Sequence, residues 1–199
     1  MKEKAFCFDL DGTLTKEEIL PILAKEIQLF EEISALTDAT IQGILPFEKS
    51  FLLRCRLLES LPLTIVNTII RDIPRFEKIE SFIKENKQDC YIVTGNLDVW
   101  IEELVDELGC QSYSSTAVYS NNKVKVISVM NKKSVIKELK KEYKKIIAVG
   151  DGMGDVGMFE EADISIAFGG THKPIQSLVT VSNYVIYEEE PLCRLLNML

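Results

Sequence analysis

Short runs of apolar residues recur along the chain, and each run ends at polar residues or glycine. The first is Ala5-Phe6-Cys7-Phe8, which stops at Asp9. Four more cover residues 90–93, 146–149, 164–168 and 184–186. A short continuous apolar run is typical of a strand buried on both faces, as in a parallel sheet covered by helices. The pattern therefore predicts several parallel strands.

Apolar residues at helical spacing lie between these runs. Residues 76–83 form one such series, and residues 97–108 form a second, with Gly109 as its stop. A third series, within residues 135–143, ends on Tyr143 in a lysine-rich segment. Strands that alternate with helices of this length predict an α/β fold, a doubly wound parallel sheet of Rossmann-like type. Residues 116–128 differ and predict a β-hairpin with a polar turn at Asn121-Asn122.

Residues 16–74 contain no strand-like run and break the alternation. They predict three helices, at residues 17–29, 47–59 and 64–73. A segment of this size is too long for a simple crossover between two strands. We therefore expect a core domain formed by residues 1–15 and 75–199, with residues 16–74 inserted as a helical cap over the carboxyl ends of the strands.

Composition and charge narrow the classes of protein. The chain has 199 residues, a net charge of −8 and a hydrophobic content of 46%, which suits a globular protein and disfavours nucleic acid or an anionic membrane as partner. Its one histidine, His172, excludes a multi-histidine metal site. Five cysteines form no C-x-x-C pair, and no secretory signal precedes Asp9. We therefore expect a cytoplasmic protein, with its oligomeric state left open.

Acidic residues follow two of the predicted strands. Asp9 and Asp11 come directly after the first run, and Asp151 and Asp155 follow the run at residues 146–149. Ligands of open α/β sheets bind outside the carboxyl ends of the strands, so these four carboxylates should converge. Converging carboxylates need a counter-charge, which Mg²⁺ with its oxygen ligands supplies. Each Asp-Gly pair alone is also a common turn former.

Four ordered motifs resemble those of the haloacid dehalogenase superfamily of phosphatases. They are Phe-Asp-Leu-Asp-Gly-Thr-Leu-Thr, Val-Thr-Gly-Asn, a lysine at Lys132-Lys133 and Gly-Asp-Gly-Met-Gly-Asp. The resemblance covers nearly the whole chain. The cap position and the run from Phe47 to Arg54 are most similar to the phosphoserine phosphatase branch.

This resemblance implies Mg²⁺-dependent hydrolysis of a small phosphorylated metabolite such as phosphoserine. Asp9 would attack phosphorus, and Asp11 would protonate the leaving alkoxide and then help to deprotonate water. Thr94 would donate its hydroxyl to a phosphoryl oxygen. A lysine would neutralise charge in the transition state, and Lys133 matches the family's lysine better than Lys132 does.

The same resemblance implies the metal ligands. Mg²⁺ would lie between Asp9, Asp151 and the backbone carbonyl of Asp11. Asp155 would contact the metal directly or through another ligand.

Substrate recognition in this branch implies two cap residues. Glu18 would hold the substrate's ammonium group and Arg54 its carboxylate, although both also fit ordinary surface charges on amphipathic helices. Gly95 and Asn96 would face the substrate, and the branch usually has glycine where this chain has Asn96. Gly154 likewise stands where asparagine is usual.

Several alternatives stay open. The substrate could be another phospho-alcohol, a sugar phosphate or a nucleotide, and the same residues would serve a phosphotransferase. A catalytically silent phosphate-binding protein is a third possibility. The turn Gly169-Gly170-Thr171-His172-Lys173 follows another strand end and could join the site, but such turns are more often structural.

Overall fold

The computed structural model describes all 199 residues and contains seven strands and ten α-helices. The strands are β1 (Lys2–Phe8), β2 (Cys90–Leu97), β3 (Gln111–Ser120), β4 (Lys123–Ser128), β5 (Tyr143–Gly150), β6 (Ile164–Phe168) and β7 (Tyr184–Ile186). The helices are α1 (Ile19–Ala24), α2 (Phe30–Ile41), α3 (Phe47–Leu58), α4 (Leu63–Asp72), α5 (Glu77–Glu85), α6 (Asp98–Leu108), α7 (Lys132–Leu139), α8 (Val156–Glu161), α9 (Gln176–Thr180) and α10 (Glu189–Met198).

All seven strands form one sheet in the order β4-β3-β2-β1-β5-β6-β7. Every neighbouring pair is parallel except β3 and β4. The register places Phe8 of β1 beside Ile92 of β2 and Val149 of β5, so these three strands end at the same edge. This arrangement confirms the predicted α/β fold with a doubly wound, mostly parallel sheet.

Alternate residues of the central strands feed two separate hydrophobic cores. Phe6 and Phe8 point into a core of 35 buried residues, whereas Ala5 and Cys7 point into one of 14 on the other face. The alternation follows from the two-residue period of a strand. Because both faces are covered, the strands contain continuous apolar runs, which explains why the runs predicted them.

The two ends of the segment 16–74 lie side by side. Thr15 and Arg75 form an isolated antiparallel bridge, and the amide of Phe76 donates to the carbonyl of Leu14 at 2.9 Å. The segment between contains α1 to α4 and no named strand. Its prediction missed α2, because residues 17–29 read as a single helix. The chain instead turns at Gln28, whose φ of 57° ends the first helical stretch.

Two further local predictions concern Tyr143 and the hairpin. Tyr143 continues the helical spacing of residues 135–139 but begins β5, where it pairs with Lys2 of β1 and is buried in the smaller core. The hairpin is confirmed, with left-handed φ angles at Asn121 and Asn122 as a tight two-residue turn requires. Its first strand also pairs parallel with β2.

No helix combines the length and apolar character needed to cross a membrane.

Candidate active site

The turn after β1 brings two carboxylates to the edge of the sheet. The Asp9 amide donates to the carbonyl of Val149 at 2.9 Å, so this residue still follows the strand. The chain then turns at Gly12, whose φ is +70°. A Cβ atom at Gly12 would lie 2.4 Å from Oδ2 of Asp151, so only glycine allows this close approach.

A buried lysine joins two of the predicted acidic residues. Nζ of Lys132 lies 2.5 Å from Oδ1 of Asp9 and 2.7 Å from Oδ1 of Asp155. Although burial alone would lower the pKa of Lys132, Asp155 and Asp9 raise it above its ordinary value. Burial, with Asp155 nearby, raises the pKa of Asp9 well above its usual range, and Lys132 acts against this shift.

Both lysines line the cavity, and the geometry favours Lys132 over Lys133 as the site lysine, which is the reverse of the expectation from the sequence. The side chain of Lys133 is 40% exposed, and its Nζ pairs with Glu160 of α8 at 2.8 Å. Successive residues of a helix point about 100° apart, so only one of the two lysines can face the strand ends. The sequence contains the N-cap residue Asn131, which fixes the start of α7, but no local signal decides between the lysines.

Asp151 and Asp155 hold complementary positions in the turn after β5. Oδ2 of Asp155 accepts the amides of Asp151 at 3.0 Å and Gly152 at 3.1 Å. Oδ2 of Asp151 is buried and has no hydrogen-bond partner. Burial raises the pKa of Asp151 well above its usual range, and Glu18 and Asp9 add to the shift.

These residues fit a divalent cation. Carboxylate oxygens of Asp9, Asp151 and Asp155 lie within 4.8 Å of one another. The unpartnered oxygen of Asp151 is the kind of hard ligand that such a cation satisfies, and a buried acceptor left alone is costly. The acidic cluster could therefore hold a divalent metal.

Asp11 is held apart from this cluster. Its Oδ1 accepts the amide of Ile19 at 2.9 Å, and its Oδ2 accepts a hydrogen bond from Nδ2 of Asn96. Burial, and then the charge of Glu18, raise the pKa of Asp11 to about 7. A carboxyl group with this pKa can donate and accept a proton near neutral pH.

The end of β2 supplies the remaining core residues. Thr94 is fully buried, and its Oγ1 accepts the amide of Asn96 at 3.1 Å. A Cβ atom at Gly95 would lie 2.2 Å from the ring of Phe47, so the missing side chain makes room for α3. Gly95 therefore packs against Phe47. The sequence motifs did not predict this contact.

Glu18 and Arg54 line the same cavity as Asp9 and Asp11, and its volume is about 430 Å³. Arg54 is 4% exposed and donates to Oγ1 of Thr37 at 2.7 Å and to the carbonyl of Ser50 at 3.4 Å. Both partners are uncharged. Burial lowers the pKa of Arg54, and the nearby carboxylates of Glu18 and Asp11 oppose this shift.

His172 joins the site through Glu18. Its Nε2 lies 3.0 Å from Oε1 of Glu18, which brings the glycine-rich turn after β6 to the cavity. The sequence left open whether this turn joins the site or is only structural, because a lone histidine carries no positional signal. Gly154 lies along the cavity, and a Cβ atom there would contact nothing within 4 Å.

Comparisons with known proteins agree with the fold and this geometry. Residues 3–163 match the family model of the haloacid dehalogenase-like hydrolases. Phosphoserine phosphatase of Methanocaldococcus jannaschii is 30% identical over 181 residues, which cover 84% of this chain and 86% of that protein. The human phosphoserine phosphatase is 26% identical over 183 residues, with 83% and 81% covered. The chain spans 53% of the length of the Archaeoglobus fulgidus phosphoserine phosphatase.

A solved structure extends the likeness to three dimensions. It is described as a phospho-aspartyl intermediate analogue of phosphoserine phosphatase, and it covers 98% of this chain and 99% of its own with a TM-score of 0.86 at 26% identity. The chain belongs to the haloacid dehalogenase-like hydrolase family. Its relatives and its acidic site make it a phosphatase of that family.

Proposed function

We propose that this enzyme is a Mg²⁺-dependent phosphoserine phosphatase that works through an aspartyl-phosphate on Asp9. The observation that carries the substrate assignment is the charge pattern of one cavity. Arg54, whose hydrogen-bond partners are neutral, and Glu18 line the cavity that also holds Asp9. The similarity to several phosphoserine phosphatases supports the same substrate.

The cap side of the cavity suits an amino acid. A buried guanidinium without a charged partner favours an anion, and a carboxylate matches its paired N–H groups. Glu18 offers a carboxylate oxygen to an ammonium group. Its Oε1 is bound to Nε2 of His172, which holds the Glu18 side chain in place. We therefore assign the substrate's carboxylate to Arg54 and its ammonium to Glu18.

Mg²⁺ would be held by Asp9, Asp151 and the backbone carbonyl of Asp11, with Asp155 beside them. The close carboxylates and the unpartnered Oδ2 of Asp151 support this placement. When bound, the cation supplies positive charge that lets an anionic nucleophile approach an anionic phosphate.

The chain's own residues account for both steps. An Asp9 carboxylate oxygen attacks phosphorus while the bond to the serine oxygen breaks, and Asp11 donates its proton to that oxygen. Asp11 then takes a proton from the water that attacks the aspartyl-phosphate, which releases phosphate and restores Asp9. Lys132 and the hydroxyl of Thr94 stabilise the charge on the phosphoryl oxygens.

The helical segment of residues 16–74 would act as a cap that excludes water from this cavity. The bridge between Thr15 and Arg75 supports its division from a core of residues 1–15 and 75–199, since the segment leaves and returns at one point. We further place the enzyme in the cytoplasm, and the five free cysteines support a reducing compartment. The acidic charge supports a small metabolite rather than nucleic acid or a membrane as partner.

Phosphate release from four esters tests the proposal. Phosphoserine carries both head groups, phosphoethanolamine lacks the carboxylate, phospholactate lacks the ammonium, and p-nitrophenyl phosphate lacks both. We expect the highest kcat/KM for phosphoserine with Mg²⁺ and no release with EDTA.

The other outcomes separate the alternatives. A maximum at another ester would keep the mechanism and reject the roles of Glu18 and Arg54. Product formation that an added alcohol raises above phosphate release would indicate a phosphotransferase, and release from none of the esters would favour a silent binding protein.

A further inference from the structure

The side chain of Asn96 contacts Asp11, and the sequence motifs did not predict this contact. It is 2% exposed at the end of β2, its Nδ2 donates to Oδ2 of Asp11, and its Oδ1 is buried without a partner. Its backbone amide is bound to Oγ1 of Thr94 at 3.1 Å. Asn96 lines the cavity, as expected of a residue that faces the substrate, but one of its two N–H donors is taken by Asp11 and its acceptor is shielded.

Two elements hold the Asp11 carboxyl from opposite oxygens. Oδ1 accepts the amide of Ile19 at the start of α1, and Oδ2 accepts from Asn96 of the core sheet. A carboxyl group has freedom about its terminal torsion, and hydrogen bonds to both oxygens remove that freedom. A general acid must lie within hydrogen-bond reach of the oxygen that it protonates, so its orientation affects the rate directly.

We propose that Asn96 is a positioning residue that orients the Asp11 carboxyl toward the oxygen of the leaving group. The inference rests on the proposed function, in which Asp11 protonates that oxygen. It has a specific consequence, because a proton donor matters in proportion to the basicity of the leaving oxygen. An alkoxide or phenolate needs the proton as it departs, whereas p-nitrophenolate departs readily without it.

The test is the dependence of kcat/KM on the leaving group for Asn96→Ala. Substituted phenyl phosphates, from p-nitrophenyl to phenyl to p-methoxyphenyl phosphate, share a shape and carry neither ammonium nor carboxylate. The ratio kcat/KM reports the first step, in which the leaving group departs, and excludes the later hydrolysis. We expect a loss of about tenfold or more for phenyl phosphate and about twofold or less for p-nitrophenyl phosphate.

Two controls make the result specific. Asn67→Ala removes a similar amide–carboxylate hydrogen bond, 2.8 Å long, to Glu103 on the protein surface, and it should leave every ester unchanged. Asp11→Asn should show the same dependence on the leaving group as Asn96→Ala. The double variant should then lose nothing beyond Asp11→Asn, because the two residues act as a unit.

The possible failures are distinguishable. An equal loss across the aryl series, or a loss with phosphoserine alone, would overturn the positioning role, since the latter result would make Asn96 a substrate contact. Wild-type protein that releases phosphate from no ester would refute the proposed function instead. Should Asn96→Ala not fold, Asn96→Gly removes the same amide, and p-nitrophenyl phosphate activity reports its folding.

Discussion

The two ends of the active-site cavity differ in whether their buried cation is directly paired with a carboxylate. At the core end, the ammonium of Lys132 lies between the carboxylates of Asp9 and Asp155. At the cap end, Arg54 is buried against a hydroxyl and a carbonyl, and Glu18 is bound to the partly exposed His172.

This difference follows from what each end has to do. The core end needs a fixed arrangement for a reaction common to all phosphate esters, so its charges are positioned by strand ends and by one another. The cap end buries a cation whose hydrogen-bond partners are all neutral, which costs stability unless a ligand supplies a directly paired anion. We therefore expect mutations at the two ends to affect chemistry and substrate specificity separately.

The largest effect should come from the core end. Asp9→Asn removes the proposed nucleophile, and we expect phosphate release to fall by roughly 10³-fold or more for phosphoserine and p-nitrophenyl phosphate alike. Asp72→Asn, on the exposed end of α4, is the control and should keep wild-type rates. A folded Asp9→Asn protein with normal turnover would contradict the mechanism.

A matched pair of lysines sharpens the comparison next. Lys132→Met should lower kcat/KM on the order of 10²- to 10³-fold for both esters, because it removes a charge aimed at the phosphate site. Lys133→Met should change it by about twofold or less. Circular dichroism must accompany the assay, since Lys132→Met leaves Asp9 and Asp155 without their cation. A larger loss with Lys133→Met would restore the assignment expected from the sequence.

At the cap end, the effect should depend on the substrate. Arg54→Lys loses the paired N–H groups, and we expect kcat/KM for phosphoserine to fall about 10- to 100-fold, with p-nitrophenyl phosphate changed by about twofold or less. The control is Arg56→Lys. Arg56 lies two residues after Arg54 on α3, is exposed and is bound to Glu59, so this change should affect neither ester. Equal losses with both esters would place Arg54 outside substrate recognition.

The smallest effect concerns stability and pH. The hydrogen bond with Glu18 raises the pKa of His172, although burial opposes it. A raised folded-state pKa stabilises the protein below the unfolded pKa near 6.5, and this stabilisation is lost as pH rises through the folded pKa. In metal-free buffer, the difference in Tm between wild type and His172→Gln should therefore be larger at pH 5.5 than at pH 9.0.

We expect that difference to be only about 1–2 °C, because the pair is partly exposed to solvent. Repeating the comparison in a Glu18→Gln background should abolish its pH dependence. A gap that grows toward pH 9.0 would show that His172 is not stabilised in its charged form by Glu18.

The regularity of the core made much of the fold predictable from the sequence. Runs such as residues 146–149 are apolar on both faces because both faces of their strands are covered, and the polar residues after them mark the edge where ligands bind. The helical segment was harder to read. Gln28 separates α1 from α2 through a left-handed φ of 57°. Because this conformation is uncommon for a residue other than glycine, the sequence does not predict a break there.

The sequence by itself determined which chemical groups the active site contains, because Asp9, Asp11, Thr94 and Asp151 follow directly from strands that end at one edge. Tertiary structure alone decided how the other groups are used. A helix rotates about 100° per residue, and only the folded chain shows that Lys132 rather than Lys133 contacts Asp9 and Asp155. The contacts of Asn96 with Asp11 and of His172 with Glu18 join residues 85 and 154 positions apart, and no local pattern encodes such distances.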